Sequence, residues 1–304
     1  MKLGFVGMGT MGTPMVLNLL KGGFHVTVYS AHLDSPNVRL AASKGAAVAR
    51  SAEEVAEDSE VALMCLPRAE VSEKVLLGER GLLAGSAPGT IIVEMSTVPP
   101  LTVKRFGREA GRRRVKVLDA PISGGRTGAE AGTLTIMVGG DRRSFQRCLP
   151  VFGAVGKMVY HLGGLGAGET MKLVNGMVGN ANLMAALEGL ELASKAGMDL
   201  KLVQGIVANS TGQSWAWNTL VPRILDAKNV GVNLDTLAKD VGYVLALADE
   251  VGAEARIARE ASAVLARLRR ETGGSTDVSS AFPSLLEPVR PSRGGRRAPR
   301  RDAD

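Results

Sequence analysis

The sequence predicts an α/β domain with a mostly parallel, doubly wound sheet, followed by an all-α domain. Three observations carry that expectation. Short apolar runs alternate with amphipathic stretches through the first half, a glycine-rich turn follows the first apolar run, and no strand signal recurs after residue 163. Strand–helix alternation places helices on both faces of a parallel sheet, whereas helical spacing alone builds a bundle.

Taken in order, residues 3–6, 26–29, 61–66, 91–93 and 115–118 read as strands, with helical spacing between them at 11–20, 39–44, 69–77 and 101–110. Two further strands are predicted at 133–138 and 158–160, flanking a helix over 142–151. The texture then changes at His161-Leu162-Gly163-Gly164-Leu165-Gly166. A long Ala/Leu/Met-rich helix is expected over 168–196, then helices at 200–209, 214–224, 234–251 and 253–271. The expected organisation is therefore a first domain over 1–163, a helical domain over 164–285 and a tail over 286–304. The helix at 168–196 is apolar over much of its circumference, which predicts burial between helices or against a second subunit, hence a homodimer or homotetramer.

Bulk composition narrows the class. A chain of 304 residues with 45% hydrophobic and 22% charged residues has room for two globular cores. Its two cysteines, Cys65 and Cys148, lie far apart in no metal-ligand pattern, which argues against a disulfide framework or structural zinc. The opening MKLGFVGMG runs directly into a strand and a turn, and no uninterrupted apolar stretch reaches membrane-spanning length. A reduced, soluble, cytoplasmic protein without a membrane partner is expected. Of the net charge of +7, +4 falls in PVRPSRGGRRAPRRDAD, with six Arg against two Asp. Such a Pro/Gly/Arg tail is predicted to be disordered and solvated, with nucleic acid the less favoured partner.

The chemistry begins at Gly7-Met8-Gly9-Thr10-Met11-Gly12, a G-x-G-x-x-G between a predicted strand and helix. Gly7 suits the tight turn, Gly9 admits a pyrophosphate to the backbone, and Gly12 allows close packing of helix on strand. A phosphate would then rest on free N–H groups at the positive end of the helix. This is the Rossmann fingerprint, and it predicts NAD(P)(H) as cofactor. Where an acidic residue would bind the ribose hydroxyls of NAD, the chain reads Tyr29-Ser30-Ala31-His32. Ser30, His32 and Arg39 could instead donate to a phosphate, which leans the reading toward NADP.

Further segments follow in one order: Leu66-Pro67; Val93-Glu94-Met95-Ser96-Thr97; Asp119-Ala120-Pro121-Ile122-Ser123-Gly124-Gly125; Gly166-Ala167-Gly168-Glu169-Thr170-Met171-Lys172-Leu173-Val174-Asn175; and Lys239-Asp240. Together with the opening GFVGMGTMGTPMVLNL, they resemble the 3-hydroxyisobutyrate dehydrogenase, or β-hydroxyacid dehydrogenase, family over residues 2–281. The resemblance implies an NAD(P)-dependent dehydrogenase or reductase that interconverts a small β-hydroxy acid and its semialdehyde. It implies Lys172 as the catalytic lysine, Ser123, Gly124, Gly125 and Asn175 as substrate-binding, and Leu66, Pro67, Thr97 and Lys239 beside the cofactor, with Met8, Thr10, Met11 and Ser30 completing its cradle.

The residues themselves suit those roles. Moving a hydride requires moving a proton at the substrate oxygen, and a lysine near an apolar wall or another cation has a lowered pKa. A Ser-Gly-Gly turn can hold a carboxylate on its hydroxyl and backbone N–H groups, so a small carboxylate-bearing substrate is expected. Asn175, three residues after Lys172, shares its helix face. Spacing alone is equally compatible with a solvated Lys172, a plain turn at Ser123 and a surface pair at Lys239-Asp240. Trp215 and Trp217 read as packing anchors, and His25, His32 and His161 have no catalytic or metal-binding pattern around them.

Two departures stand out. Many relatives carry two Asn after the lysine, where this chain has Asn175 and Gly176, and an aromatic residue before the Lys-Asp pair, where it has Val230-Gly231-Val232-Asn233. These bear on the substrate more than on the reaction: oxidation of 3-hydroxyisobutyrate, reduction of glyoxylate or of succinic or tartronate semialdehyde, and reduction of a bulkier carbonyl or an imine stay open. A non-catalytic dinucleotide-binding module with a nucleic-acid-contacting tail is the other class. Lys172 argues against it.

Overall fold

A computed structural model describes residues 1–283. The Arg-rich segment expected to be disordered therefore lies outside the described residues. Through the first half, β1 (Lys2–Val6), α1 (Gly12–Lys21), β2 (His25–Tyr29), α2 (Pro36–Ser43), β3 (Ala47–Val48), α3 (Ala52–Glu57) and β4 (Val61–Met64) alternate. There follow α4 (Ala69–Leu77), α5 (Leu82–Gly85), β5 (Ile91–Glu94), α6 (Pro100–Arg112) and β6 (Lys116–Asp119). Next come β7 (Ile122–Ser123), α7 (Gly125–Ala131), β8 (Leu134–Gly140), α8 (Arg142–Val155) and β9 (Gly156–His161). The remainder is helical: α9 (Ala167–Lys195), α10 (Leu200–Ala208), α11 (Trp215–Thr219), α12 (Val221–Leu225), α13 (Leu234–Val251), α14 (Arg256–Thr272) and α15 (Val278–Ala281).

The strands form one sheet in the order β3-β2-β1-β4-β5-β6-β8-β7, with β9 paired to β8. From β3 to β6 every pairing is parallel. Both faces are covered, as a parallel sheet requires. Leu3, Phe5, Leu63, Ile91 and Val93 pack into one core. Val6, Ala62, Met64 and Ile92 pack into the other. Side chains alternate between faces along each strand, so these strands read as continuous apolar runs. Strand order reverses between β1 and β4, and in such sheets the crevice at the carboxyl ends of the strands receives the ligand.

By compactness the chain groups into Met1–Ala181 with Thr236–Ala263, and Asn182–Asp235 with Val264 onward. The first unit holds the sheet, the start of α9 and most of α13. In the second, Trp217 is buried and its indole N–H donates to the Gln204 carbonyl at 3.1 Å, while Asp277 accepts the N–H groups of Val230, Gly231 and Val232. Among the described residues no helix is long and apolar enough to cross a membrane.

Several local expectations need correction. The single helix expected at 214–224 is two, α11 and α12, because Pro222 lacks the N–H that continues a helix and sits at the start of the second. Trp215 is 66% exposed and anchors no core. The helix expected from 253 begins at Arg256, after Ala255 takes a left-handed φ of 45°. Helix α8 continues past Pro150 to Val155. Among the elements the alternation did not announce, β3 spans two exposed residues and α7 forms within a Gly-rich run.

Two glycines of the first turn make opposite demands. A methyl group at Gly12 would overlap the carbonyl oxygen of Gly7, whereas one at Gly9 meets nothing within 4 Å. Gly12→Ala is therefore expected to cost about 1–3 kcal/mol of stability, and Gly9→Ala less than about 0.5 kcal/mol. Urea denaturation followed by circular dichroism separates the two, and equal losses would contradict this assignment.

Candidate active site

The carboxyl ends of β1, β2, β4, β5 and β6 deliver the predicted site residues to one rim of the sheet. At β1, Gly7 adopts φ 109°, where a side chain would collide with the Cys65 carbonyl. Its N–H donates to Tyr29 O at 3.0 Å, joining the turn to the end of β2 and so to Ser30. Met8 is buried, and its carbonyl accepts the Asn37 side-chain amide at 2.9 Å. Helix α1 starts with no side-chain cap and no acidic residue in its first turn. Within its first turn the Thr13 N–H goes to the Gly9 carbonyl at 3.1 Å and Pro14 has none, so an outside acceptor would meet the N–H groups of the glycine turn just before them, where the open space at Gly9 lets it approach. A dinucleotide pyrophosphate fits this cradle, with Thr10 exposed and Met11 half-buried beside it.

At the end of β2 stands no carboxylate. Ser30 is half-buried, with its hydroxyl accepting the His32 N–H at 3.4 Å. Arg39 of α2 is held by the Asp34 carbonyl.

Beneath the rim lie three fully buried carboxyl groups that sequence reasoning passed over: Glu94, Asp119 and Glu169, each 0% exposed. Glu94 ends β5 and accepts the Ser96 N–H at 2.8 Å; the Ser96 hydroxyl in turn accepts the Leu66 N–H at 2.8 Å. Asp119 ends β6 and accepts the N–H groups of Gly166 and Glu169, both at 2.8 Å, which caps the start of α9. Glu169 accepts the Val98 N–H at 3.2 Å. The loops after β4 and β5 and the entry to α9 are thereby pinned by buried acceptors. Burial pushes the Glu94 carboxyl up to about 7, against the opposing hydrogen bonds from Ser96. Burial likewise raises Glu169 well above the ordinary range, and its neighbours Glu94 and Asp119 push the same way. Asp119 is raised by burial and held back by the α9 N–H groups.

Lys172 stands one turn into α9, half-buried, with Nζ donating to the carbonyl of Ile122 at 2.8 Å. Ile122 precedes Ser123-Gly124-Gly125, so the lysine and the predicted carboxylate turn come together. Gly124 and Gly125 adopt φ of 130° and 61°, conformations that favour glycine, and both are exposed at the start of α7. Burial lowers the Lys172 pKa; Asp240 and Glu169 oppose that and Lys239 adds to it. Asn175, on the next turn, is exposed, and a side chain at Gly176 would meet nothing within 4 Å.

Lys239 completes the rim from α13. Its Nζ donates to the Pro67 carbonyl at 3.2 Å, lies 3.1 Å from Asp240 and stands 5.4 Å from the centre of the Tyr243 ring. Leu66, Pro67 and Lys239 are thus gathered at one place, and Thr97 is half-buried in the loop after β5. Tyr243 is an aromatic neighbour that the sequence reading missed: it sits one helical turn after Lys239, whereas the stretch inspected lay before it. Its hydroxyl accepts the Ala69 N–H at 3.4 Å. Burial and the nearby Glu94 push the Cys65 thiol up to about 12, which keeps it in the thiol form.

Two family models match successive parts of the chain. Residues 2–163 match the family model described as the NAD binding domain of 6-phosphogluconate dehydrogenase. Residues 166–285 match that described as NAD-binding of NADP-dependent 3-hydroxyisobutyrate dehydrogenase. The chain is 37% identical over 258 residues to 2-(hydroxymethyl)glutarate dehydrogenase of Eubacterium barkeri, covering 84% of each. It is 42% identical over 201 residues to 2-hydroxy-3-oxopropionate reductase of Escherichia coli, covering 66% of this chain and 67% of the relative. Among solved structures, 3-hydroxyisobutyrate dehydrogenase of Mycobacterium tuberculosis with L-serine is similar at a TM-score of 0.84 and 29% identity, covering 94% of this chain and 99% of the other.

The raised Glu94 carries a stability cost of definite sign. A carboxyl whose folded pKa lies above its ordinary 4.5 favours the folded state when protonated, so stability falls as pH rises from 4.5 to about 7. Glu94→Gln keeps an acceptor for Ser96 and removes that loss. A gain on the order of 3 kcal/mol is expected near pH 8, and little of it near pH 5. Thermal denaturation of both proteins at the two pH values checks this, and a gain independent of pH would refute the assignment.

Proposed function

The chain belongs to the 3-hydroxyisobutyrate, or β-hydroxyacid, dehydrogenase family, NAD(P)-dependent oxidoreductases acting on CH–OH groups, and on that premise we propose that it interconverts a small β-hydroxy acid and its semialdehyde, with Lys172 carrying the proton and NADP(H) as the preferred cofactor. The observation that carries the reading is the 2.8 Å bond from Lys172 Nζ to the Ile122 carbonyl, which sets the amine beside Ser123-Gly124-Gly125.

In this reading the substrate carboxylate rests on the Ser123 hydroxyl and the N–H groups of Gly124 and Gly125, where positive φ brings backbone donors to the surface with no Cβ in front of them. The reacting hydroxyl then lies toward Lys172 and Asn175. When bound, the dinucleotide supplies the hydride acceptor for oxidation or the donor for reduction. Lys172 takes the hydroxyl proton as the alcohol is oxidised and returns a proton to the oxygen as the carbonyl is reduced. Its lowered pKa brings the neutral amine within reach, and the bond to Ile122 O keeps Nζ aimed. Lys239, Pro67, Leu66 and Thr97 would hold the nicotinamide end, and the Gly7–Gly12 turn the pyrophosphate.

Two finer points follow. The absence of a carboxylate at Ser30-Ala31-His32, with Arg39 nearby, favours the phosphate of NADP. The open space at Gly176 suits an acid with a longer substituent, of the kind named for the relative acting on 2-(hydroxymethyl)glutarate. Helix α9 exposes Met171, Val174 and Val178 along one stripe, which supports a homo-oligomer in solution.

A spectrophotometric screen of 3-hydroxyisobutyrate, 2-(hydroxymethyl)glutarate and 2-hydroxy-3-oxopropionate with both cofactors tests the substrate class. With the substrate it identifies, Lys172→Ala is expected to lower kcat by about a hundred- to ten-thousandfold while NADPH binding persists. Oxidation by the unaltered protein should rise with pH toward the Lys172 pKa, below 10.5, and reduction should fall over the same range. Unchanged turnover in the variant would remove Lys172 from the chemistry.

A further inference from the structure

We propose that Glu169 is a positioning residue: its buried carboxyl ties the loop after β5 to the first turn of α9, fixing Thr97 and Lys172 relative to each other. The inference rests on the reading of Lys172 given above.

Glu169 is held at both ends. Its own N–H donates to Asp119 Oδ2 at 2.8 Å, which fixes its place on α9, and its Oε2 accepts the Val98 N–H at 3.2 Å, which fixes the loop. Val98 follows Thr97 directly and is itself fully buried, so its N–H has no access to water and depends on an acceptor brought by another element. Lys172, three residues along the helix, lies on the same face. A displacement of the α9 first turn against the loop would therefore move the proton-carrying amine against the nicotinamide side of the site.

The carboxyl acts through its acceptor oxygen rather than its charge. Glu94 from β5 and Asp119 from β6 face it with the same sign, Lys172 faces it from its own helix, and Glu169 Oε1 is buried with no hydrogen-bond partner among the described residues. Burial and both like-charged neighbours push the Glu169 carboxyl well above the ordinary range, which disfavours its charged form, and the bond it makes to the Val98 N–H asks only for an acceptor oxygen. An amide of the same shape should therefore serve as well.

The test uses the full chain and three variants. Glu169→Gln keeps the acceptor, Glu169→Asp shortens its reach, and Glu169→Leu removes it. Amide hydrogen exchange is read by mass spectrometry on peptides spanning residues 95–100. Exchange there is expected to be about tenfold faster in the Asp and Leu variants and within about twofold of the parent in the Gln variant. With the substrate and cofactor found by the screen, kcat should fall about tenfold in the Asp and Leu variants, KM should stay within about twofold, and Gln should restore kcat. Should the Leu variant fail to fold, the Asp and Gln pair decides. The proposal is overturned if exchange and kcat in a folded Asp or Leu variant match the parent, or if Gln is as impaired as Leu. Exchange needs no turnover, so the expected exchange pattern with an unaffected Lys172→Ala would sink the catalytic reading of Lys172 and leave the Glu169 tie standing.

Discussion

The site depends on one buried carboxyl, that of Asp119, placed under the N-terminus of α9. A helix of 29 residues begins there, and the N–H groups of Gly166, just before it, and of Glu169, in its first turn, both find their acceptor in this side chain at the end of β6. The positive end of the helix favours the acceptor, and the acceptor fixes the axis and phase of the helix. Two glycines make the arrangement possible. A side chain at Gly139 would overlap Asp119 Oδ1, and one at Gly168 would overlap the Met137 carbonyl and approach Asp119 Oδ2. Once the phase of α9 is set, Lys172 must point back along the same face toward Ile122, and Glu169 must point inward toward Val98.

The same region spends stability on geometry. Glu94 and Glu169 are buried acids with raised pKa values, and one oxygen of each has no partner among the described residues. An apolar core of the same volume would hold the sheet more firmly, yet it would leave the N–H groups of Ser96 and Val98 without acceptors. What is gained is rigidity where chemistry needs it, in the loops at the ends of β4 and β5. Stability given up at a site in return for a fixed polar arrangement is a familiar exchange in enzymes.

Much of the fold was legible because parallel strands buried on both faces leave unbroken apolar runs, and because Gly7 and Gly12 are demanded by contacts within one local turn. Lys172 was partly legible: a lysine followed three residues later by Asn175 invites a functional reading, though only the resemblance gave it weight, and its bond to the Ile122 carbonyl came from a segment 50 residues away. Glu94 and Glu169 were not legible. Each sits where an acid is ordinarily solvated, at a strand end and in the first turn of a helix, and their burial follows from elements about 50 to 70 residues away, as the Asp119–Glu169 and Glu169–Val98 bonds illustrate. Tyr243 escaped for a related reason, since its place beside Lys239 comes from helical phase one turn beyond the pair. Pro222 carried a signal that a closer reading would have used, and Trp215 shows that an aromatic at helical spacing is not by that fact a core residue.

The most direct test of the account is a parallel fluorescence titration of the purified full chain with NADPH and NADH at physiological salt. Saturable binding of both, tighter for NADPH, is the predicted result, since the uncapped start of α1 and the open approach at Gly9 await a pyrophosphate while Ser30, Ala31 and His32 offer no carboxylate to the ribose. Failure to bind either would mean that the Gly7–Gly12 turn serves packing alone, and the hydride-transfer reading would lose its foundation.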